Sequence, residues 1–367
     1  MNLIAGEDCR AHGTDAEAIV EALAPLTFLP LQVSMEALEP LHLPPFKGST
    51  LRGAFGLALR QTTCTTGASS CRGCAEINSC VYHYIFETPV PVEARRMRKY
   101  TAAPHPFILD PPLQSKRDFN PGDRLNFGMV LVGKAIDLLP HVLMALQRMG
   151  TLGLGYQRGK LRLGEVTTGP APRPTNSLHG VTTGTYDHTG HVVFQHGQLP
   201  ALDRVSTHNV HDLTPTQSTL RLKKPGGNGR QHLRVRFLTP CRLKRGGVLT
   251  DRPDFHVVFR SILRNTGSLM YFHCNRDLQL DFPTLAVAAE QVRLTMNATQ
   301  WLDWERYSNR QKAHLTMGGI VGEAIYEGDL GIFIPFMQLA QVLHVGKGTS
   351  MGLGRIEVHP LSETEAV

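Results

Sequence analysis

The sequence predicts an α+β fold made of two related domains in series. One observation is a duplicated element, in which an apolar helix leads into a glycine-rich loop and then a strand. Its two copies are "LLPHVLMALQRMGTLGLGYQRGKLRL" and "GIFIPFMQLAQVLHVGKGTSMGLGRIEVHP", and they lie about 200 residues apart, as internal repeats do. The second observation is the length of 367 residues, which suits two domains of about 150 residues with insertions.

In the first half, residues 1–26 are a lead-in, and the apolar pattern then predicts alternating strands and helices. "LTFLPLQVSMEAL" is typical of a strand. In "KGSTLRGAFGLALRQT", Leu51, Phe55 and Leu59 recur at helical spacing, which predicts an amphipathic helix. Strands are predicted for "YIFETPVPV", "PHPFILDPP" and "RLNFGMVLVGKAI", followed by a helix and the first glycine loop. The order over residues 27–168 is βαββαβ-like.

The second half repeats this plan. A linker rich in Gly, Thr and His is predicted at residues 169–230, before a second domain at residues 231–367. "HLRVRFLTPCRL" alternates as a strand does, "FHVVFRSILRNTGSLMYFH" has helical periodicity, and "QWLDWERYSNRQKAHLTMGGIVGEAIYEG" predicts a long β-hairpin. We therefore predict tandem ferredoxin-like domains, the first of which carries a cysteine-rich insertion at residues 63–81.

The composition favours a polyanionic partner. The net charge is +7, and the basic residues cluster in "EARRMRKY", "RLKKPGGNGRQHLRVR" and "CRLKRGG". The alternative for any single run is a solvated face. No apolar run is long enough to cross a membrane, and the first residues do not resemble a signal peptide, so a cytoplasmic location without a membrane partner is expected.

The loop "HVGKGTSMGLGR" is typical of a backbone that wraps a phosphate. It is not a P-loop, because Gln341 stands five residues before Gly346 where glycine is required. A dinucleotide loop is also disfavoured, because here the predicted helix precedes the loop and a strand follows it. The predicted phosphate ligands are the loop amides with Lys347, Thr349, Ser350 and Arg355. The alternative is a tight structural turn against the sheet.

Four cysteines predict a metal site. Cys64, Cys71, Cys74 and Cys80 form a C-x6-C-x2-C-x5-C array. Four thiols this close, in a chain expected to be cytosolic, fit a closed tetrahedral zinc site better than disulfides. An Fe–S cluster would use the same ligands, and free cysteines are a further alternative. We expect the metal to stabilise the insertion and not to catalyse.

Taken in order, several motifs resemble the CRISPR-associated RAMP superfamily, and specifically the precursor-crRNA processing endoribonucleases of the Cas6 family. They are "PPFKGSTLRGAFG", the cysteine array running into "CVYHYIFETPVP", "FILDPP", "LMYFHCN", "WLDWERYSNRQ" and "HVGKGTSMGLGR". The resemblance implies tandem ferredoxin-like domains, a C-terminal glycine-rich loop against RNA, and cleavage within CRISPR repeats without a catalytic metal. It also implies repeat RNA and other CRISPR effector subunits as partners. The first helix lacks the histidine that several relatives carry there, although His42 lies just ahead of it.

Metal-free RNA cleavage needs a base for the ribose 2′-hydroxyl, a charge stabiliser and an acid for the leaving oxygen. The predicted catalytic residues are His273, His344 and Tyr307. The alternatives are a helix C-terminal cap for His344 and cross-strand packing for Tyr307. Further RNA-binding residues are predicted on the hairpin at Arg306, Arg310 and Lys312. Two rival functions stay open: a non-catalytic RAMP subunit that binds crRNA, and a zinc-stabilised RNA-binding module unrelated to CRISPR.

Overall fold

Two antiparallel sheets, one in each half of the chain, form the framework of the fold. The computed structural model describes residues 15–68, 70–169, 190–198, 200–213, 231–308 and 313–362. The described α-helices are α1 (Ala16–Leu23), α2 (Gly48–Thr63), α3 (Leu139–Leu152), α4 (Val210–Leu213), α5 (Phe255–His273), α6 (Phe282–Glu290) and α7 (Ile334–Leu343). The described strands are β1 (Phe28–Ala37), β2 (Leu41–His42), β3 (Phe107–Asp110), β4 (Asp118–Phe119), β5 (Arg124–Val132), β6 (Leu161–Thr168), β7 (Val192–Gln195), β8 (Gln231–Cys241), β9 (Leu243–Arg245), β10 (Val248–Thr250), β11 (Arg293–Ser308), β12 (Ala313–Gly328) and β13 (Ile356–Leu361).

The first sheet has the strand order β3-β5-β1-β6-β7. Along β1 the apolar side chains alternate, so that Leu31 and Val33 are buried against α2 and α3, while Gln32 and Ser34 point to the opposite face. That opposite face is polar and lines a cleft of about 440 Å³. An antiparallel sheet with helices on one side leaves its other side available for a ligand.

The second sheet has the order β11-β12-β8-β13, and its connections repeat those of the first. In the first half, β1 pairs with β5 and β6, and β3 lies at one edge. In the second half, β8 pairs with β12 and β13 in the same way, and β11 lies at the corresponding edge. The predicted mixture of helices and antiparallel sheet is therefore confirmed, together with the βαββαβ order in both halves. The predicted helix over "FHVVFRSILRNTGSLMYFH" coincides with α5, and the predicted long hairpin is β11 and β12.

The sequence was misleading in two places. Within "YIFETPVPV", His83–Glu87 form a short π-helix instead of the predicted strand, because Tyr82 and Phe86 stack at a ring-centre distance of 5.5 Å on one face. The predicted linker contributes β7, which pairs with β6 as a fifth strand. The lead-in contains α1, whose Ile19 and Leu23 are fully buried in the core of the second half. None of the helices in the described part of the chain has the length and apolar content needed to span a bilayer.

The two halves meet where the second glycine loop docks onto the first sheet and α2. A Cβ added to Gly352 would lie 2.1 Å from Cδ of Pro111, and one added to Gly48 would lie 1.8 Å from the carbonyl oxygen of Met351. Beside these contacts, Nη1 of Arg355 donates to Oδ1 of Asp110 at 2.7 Å, with side chains 15% and 5% exposed. We refer to Gly48, Asp110, Gly352 and Arg355 as the joint.

We expect the Asp110→Ala substitution to destabilise the protein strongly, because it leaves the Arg355 guanidinium buried without its carboxylate. Loss of one partner of a buried ion pair costs about 3–5 kcal/mol. The measurement is urea unfolding followed by circular dichroism. Glu357→Ala is the matched control, because Glu357 on β13 pairs with Arg236 on β8, and those side chains are 29% and 47% exposed. The control should cost about 1 kcal/mol or less; equal losses for both variants would contradict this account of the joint.

Candidate nucleic-acid interface

The backbone of the second glycine loop is fixed by close contacts within its own half. Gly354 has φ +73°, and a Cβ added there would lie 1.7 Å from the Val345 carbonyl oxygen. Only glycine combines this backbone conformation with this approach. The amide of Lys347 donates to the Arg242 carbonyl at 3.2 Å, which brings the loop against the turn after β8. The order of helix, loop and strand predicted from the sequence is observed.

Two of the predicted phosphate ligands are engaged in protein contacts. Ser350 is buried, and its hydroxyl accepts a hydrogen bond from Nε of Arg52 at 3.2 Å. Arg355 belongs to the joint. Thr349 is partly exposed at the start of a short 3₁₀ turn, Thr349–Met351. Much of the loop is thus used for packing between the halves, which is the structural-turn alternative weighed from the sequence.

Lys347 is the exposed residue of the loop, and three other cations surround it. Partial burial, and then the charges of Lys244, Arg264 and Arg242, lower the pKa of Lys347. Among the described residues, the carboxylate that acts on this group is that of Asp303, whose charge partly opposes the lowering of the Arg242 pKa by burial. We call Arg242, Lys244, Arg264 and Lys347 the cation cluster. Like charges brought together in this way favour an anionic ligand, and a phosphate can satisfy several of them at once.

The cation cluster was only partly visible in the sequence. Arg242 and Lys244 lie in the basic run "CRLKRGG", and Lys347 lies in the glycine loop. Arg264 lies on the exposed side of α5, about 80 residues before Lys347, and nothing in its local sequence marks it. Only the packing of α5 beside the glycine loop brings Arg264 into the group.

The two histidines predicted to catalyse are buried. His273 is 1% exposed, with Nδ1 at 3.1 Å from the Tyr84 hydroxyl and Nε2 at 2.8 Å from the Pro104 carbonyl oxygen. His344 is 3% exposed and adopts φ +59° at the end of α7. Burial lowers the pKa of each ring to about 4, so both are neutral at pH 7. Their catalytic role stays a prediction, and burial argues against it.

The other predicted residues lie on the hairpin. Arg306 and Tyr307 are on β11, where they pair with Leu315 and His314 of β12. Their backbone positions lie near the end of β11 and the start of β12. Arg310 and Lys312 lie outside the described residues.

An exposed histidine that sequence reasoning did not select sits on the small ribbon formed by β2 and β4. Nδ1 of His42 is 2.5 Å from Oδ1 of Asp118, and Nε2 is 2.9 Å from Nη2 of Arg117. Because the guanidinium can only donate, Nε2 is the acceptor and Nδ1 carries the proton that Asp118 accepts. The carboxylate thus fixes the tautomer and the direction of the ring. We call His42, Arg117 and Asp118 the ribbon triad.

The ribbon triad adjoins the polar cleft over the first sheet. The segment that precedes β4 supplies Gln114 and Lys116 to the lining of the cleft, and Arg117 and Asp118 follow directly. Lys47 also lines the cleft; its Nζ donates to the carbonyls of Gln114 at 3.1 Å and Pro45 at 3.3 Å. Burial, and then the charge of Arg117, lower the pKa of Lys47. The cleft therefore combines neutral polar groups and several cations with the carboxylates of Asp110 and Glu165.

The four cysteines of the insertion line one small pocket. Each thiol is free and partly buried. As the side chains stand, no group of three or more Cys, His, Asp or Glu residues in the described part of the chain has the arrangement of a metal site. Zinc at this position is thus neither confirmed nor contradicted.

Comparisons with known proteins cover both halves separately. Residues 26–189 match the model of a family described as an N-terminal domain, and residues 235–356 match the model described as CRISPR-associated endoribonuclease Cas6. An uncharacterized protein of Archaeoglobus fulgidus is 29% identical over 113 residues, which are 31% of this chain and 37% of that protein. The match thus spans little more than a third of that relative.

Two solved structures extend the comparison to most of the chain. The match to the partial Cas6-RT-Cas1–Cas2 complex spans 93% of this chain and 48% of the matched chain, with a TM-score of 0.50 and 11% identity. The match to Thermus thermophilus Cas6 spans 92% of this chain and 99% of the matched chain, with a TM-score of 0.44 and 13% identity. At these identities the first likeness shows a shared fold alone. The sequence match is therefore to the CRISPR-associated endoribonuclease Cas6 model over residues 235–356, and the motifs in the sequence indicated the same family.

Proposed function

We propose that this protein is an endoribonuclease that cleaves precursor CRISPR RNA within its repeats and releases mature crRNA. The observation that carries the proposal is the cation cluster, which lies entirely inside the residues matched by the Cas6 model. The same strand order in both halves supports tandem ferredoxin-like domains as its scaffold. A cytoplasmic location and CRISPR effector subunits as further partners belong to the same proposal.

The cation cluster is suited to the sugar-phosphate backbone. Its members come from the turn after β8, from β9, from α5 and from the glycine loop, so their spacing is set by rigid elements. Each cation that neutralises a phosphate releases counterions, which makes binding favourable at low salt. Contacts of this kind position RNA without reading its sequence. Sequence or hairpin recognition would then come from other surfaces, of which the tip of the β11–β12 hairpin is one candidate.

For cleavage we propose that the ribbon triad supplies the acid–base chemistry. Nε2 of His42 can accept the proton of a ribose 2′-hydroxyl as that oxygen attacks the adjacent phosphorus. Asp118 would stabilise the resulting imidazolium, and Arg117 would shift from Nε2 to the charged phosphoryl oxygens. The 5′ oxygen then leaves with a proton from solvent water, and the His42 imidazolium returns its proton to the hydroxide formed, giving a 2′,3′-cyclic phosphate and a 5′-hydroxyl. The chemistry uses the nucleophile of the RNA itself and calls for no metal-bound water.

The second candidate function is a non-catalytic subunit that binds crRNA. One observation favours it: the two histidines predicted to catalyse, His273 and His344, are both buried and neutral. The two functions differ in a single measurable respect, which is whether the isolated protein cuts a cognate repeat.

We expect Lys347→Ala and Arg264→Ala each to weaken binding of a single-stranded repeat RNA and to flatten its salt dependence. Each lost phosphate contact should reduce the slope of log K against log salt concentration by about 0.7. Fluorescence anisotropy over a range of potassium chloride concentrations measures that slope. Arg293→Ala is the matched control, since Arg293 is already paired with Glu327 at 2.9 Å. If the slope of the control falls as far as those of the two variants, RNA does not lie on the cation cluster.

We expect His42→Ala to lower the single-turnover rate of repeat cleavage by about 10²- to 10⁴-fold while RNA affinity changes little, because it removes a general base and no phosphate contact. The measurement uses end-labelled repeat RNA with excess protein and a brief incubation in EDTA. A 2′-deoxy residue just upstream of the cut should abolish the reaction in the unsubstituted protein.

The controls for this experiment are other histidines. His211→Ala removes a half-exposed histidine on α4 and should leave the rate unchanged. His273→Ala, His344→Ala and Tyr307→Phe test the residues predicted from the sequence. A full rate in His42→Ala with a loss in one of these three would return catalysis to the residue concerned. If the unsubstituted protein binds cognate repeats but never cuts them, the non-catalytic subunit is the correct function.

A further inference from the structure

The cysteine-rich segment has no part in the proposed handling of RNA, yet its four cysteine side chains line one small pocket. Cys64, Cys71, Cys74 and Cys80 all line the same small pocket, together with the backbone turns between them. The hydroxyl of Thr66 lies 3.8 Å from the Cys64 sulfur and 3.6 Å from the Cys74 sulfur. Two of the sulfurs therefore flank a single side chain, although their cysteines are ten positions apart in the sequence.

This segment has little else to keep it folded. The described residues between α2 and the π-helix form turns, closed by bonds such as that from the Cys74 amide to the Cys71 carbonyl at 3.2 Å. Ile77 is its largest apolar side chain between Cys64 and Cys80. A segment of this kind cannot bury enough apolar surface to define one conformation and usually depends on a cross-link. The four thiols are not joined in disulfides.

We propose that Cys64, Cys71, Cys74 and Cys80 bind one zinc ion as four thiolates, in a closed site that holds this segment against α2. The sulfurs do not yet stand at ligand distances, so binding requires the thiols to rotate toward the centre of the pocket they share. Turns allow such rotation at small cost. Zinc binding displaces the thiol protons to solvent, and the four sulfurs leave no open position for a substrate.

The proposed centre is connected to the joint through α2. Just after Cys80, the π-helix places Phe86 against α2, where a Cβ added to Gly56 would lie 2.2 Å from its ring. The guanidinium of Arg52 stacks 4.4 Å from the centre of the same ring. Arg52 in turn donates to Ser350 of the glycine loop. A zinc centre that fixes the cysteine-rich segment would therefore also fix the Phe86 ring. Arg52 packs on that ring and donates a hydrogen bond to the glycine loop.

The first test is the metal content of the purified full-length protein. We expect about one zinc per chain by elemental analysis, lost in the Cys71→Ser/Cys74→Ser double variant and kept in Cys274→Ser, a control thiol outside the segment. Metal-free native protein would overturn the proposal, as would zinc retained by the double variant. Iron with an absorption band near 400 nm would also overturn it in favour of an Fe–S cluster. If the double variant does not fold, release of one zinc from native protein by a thiol-modifying mercurial replaces it; zinc that stays bound would overturn the proposal.

The second test concerns the connection to the joint. Hydrogen exchange is compared between zinc-loaded protein and protein depleted by the mercurial and then restored to free thiols. We expect faster exchange at residues 346–355 after depletion. Residues 153–159, the first glycine loop, pack on Pro40 and His42 instead and should exchange at an unchanged rate. Equal effects on both loops, or none on either, would overturn the connection. Neither test depends on RNA cleavage, so they can fail while the proposed function stands.

Discussion

The docking of the second glycine loop against the first sheet is the contact on which the rest of the structure depends. Arg355 comes from the second half and Asp110 from the first, and they form a buried ion pair across the boundary between the halves. Such a pair contributes little net stability compared with apolar packing, but each charge strongly disfavours any arrangement that leaves the other unpaired. The joint, together with the apolar core that Ile108, Val130 and Val132 of the first half share with the second half, sets the relative position of the halves. It thereby helps to set the distance between the cation cluster and the ribbon triad.

Within the second glycine loop, the glycines and Lys347 have different roles. Its glycines are explained by close approach to carbonyls and to Pro111, so the loop does not need a phosphate to account for its composition. Lys347 is different, because the charges of Lys244, Arg264 and Arg242 raise the local positive potential, and Asp303 offsets that potential only at Arg242 among the described residues. Electrostatic repulsion of this kind is tolerated where an anion relieves it. The negative charge of the ligand is thus inferred from the electrostatic repulsion within the cation cluster when no ligand is bound.

Much of the fold could be predicted from the sequence, and the site much less. Long periodic segments such as α5 and the β11–β12 hairpin were recognised because their apolar residues define one face over many turns or residues. The segment around Phe86 was not, because a short aromatic run fits a strand as well as a π-helix. Catalytic candidates chosen by type, such as His273, proved buried, since burial depends on contacts from distant elements. The cation cluster and the ribbon triad each join residues that are far apart in the sequence.

The two glycine loops show how one duplicated element can serve two purposes. The second packs against the other half of the chain and fixes the joint. The first packs against its own half, where a Cβ added to Gly155 would lie 2.4 Å from the His42 carbonyl oxygen and one added to Gly159 would lie 2.5 Å from that of Pro40. This contact holds the ribbon of β2 and β4, and hence the direction of the His42 ring. In both copies glycine permits close backbone packing, and in both the neighbouring element presents side chains that we propose to act on RNA.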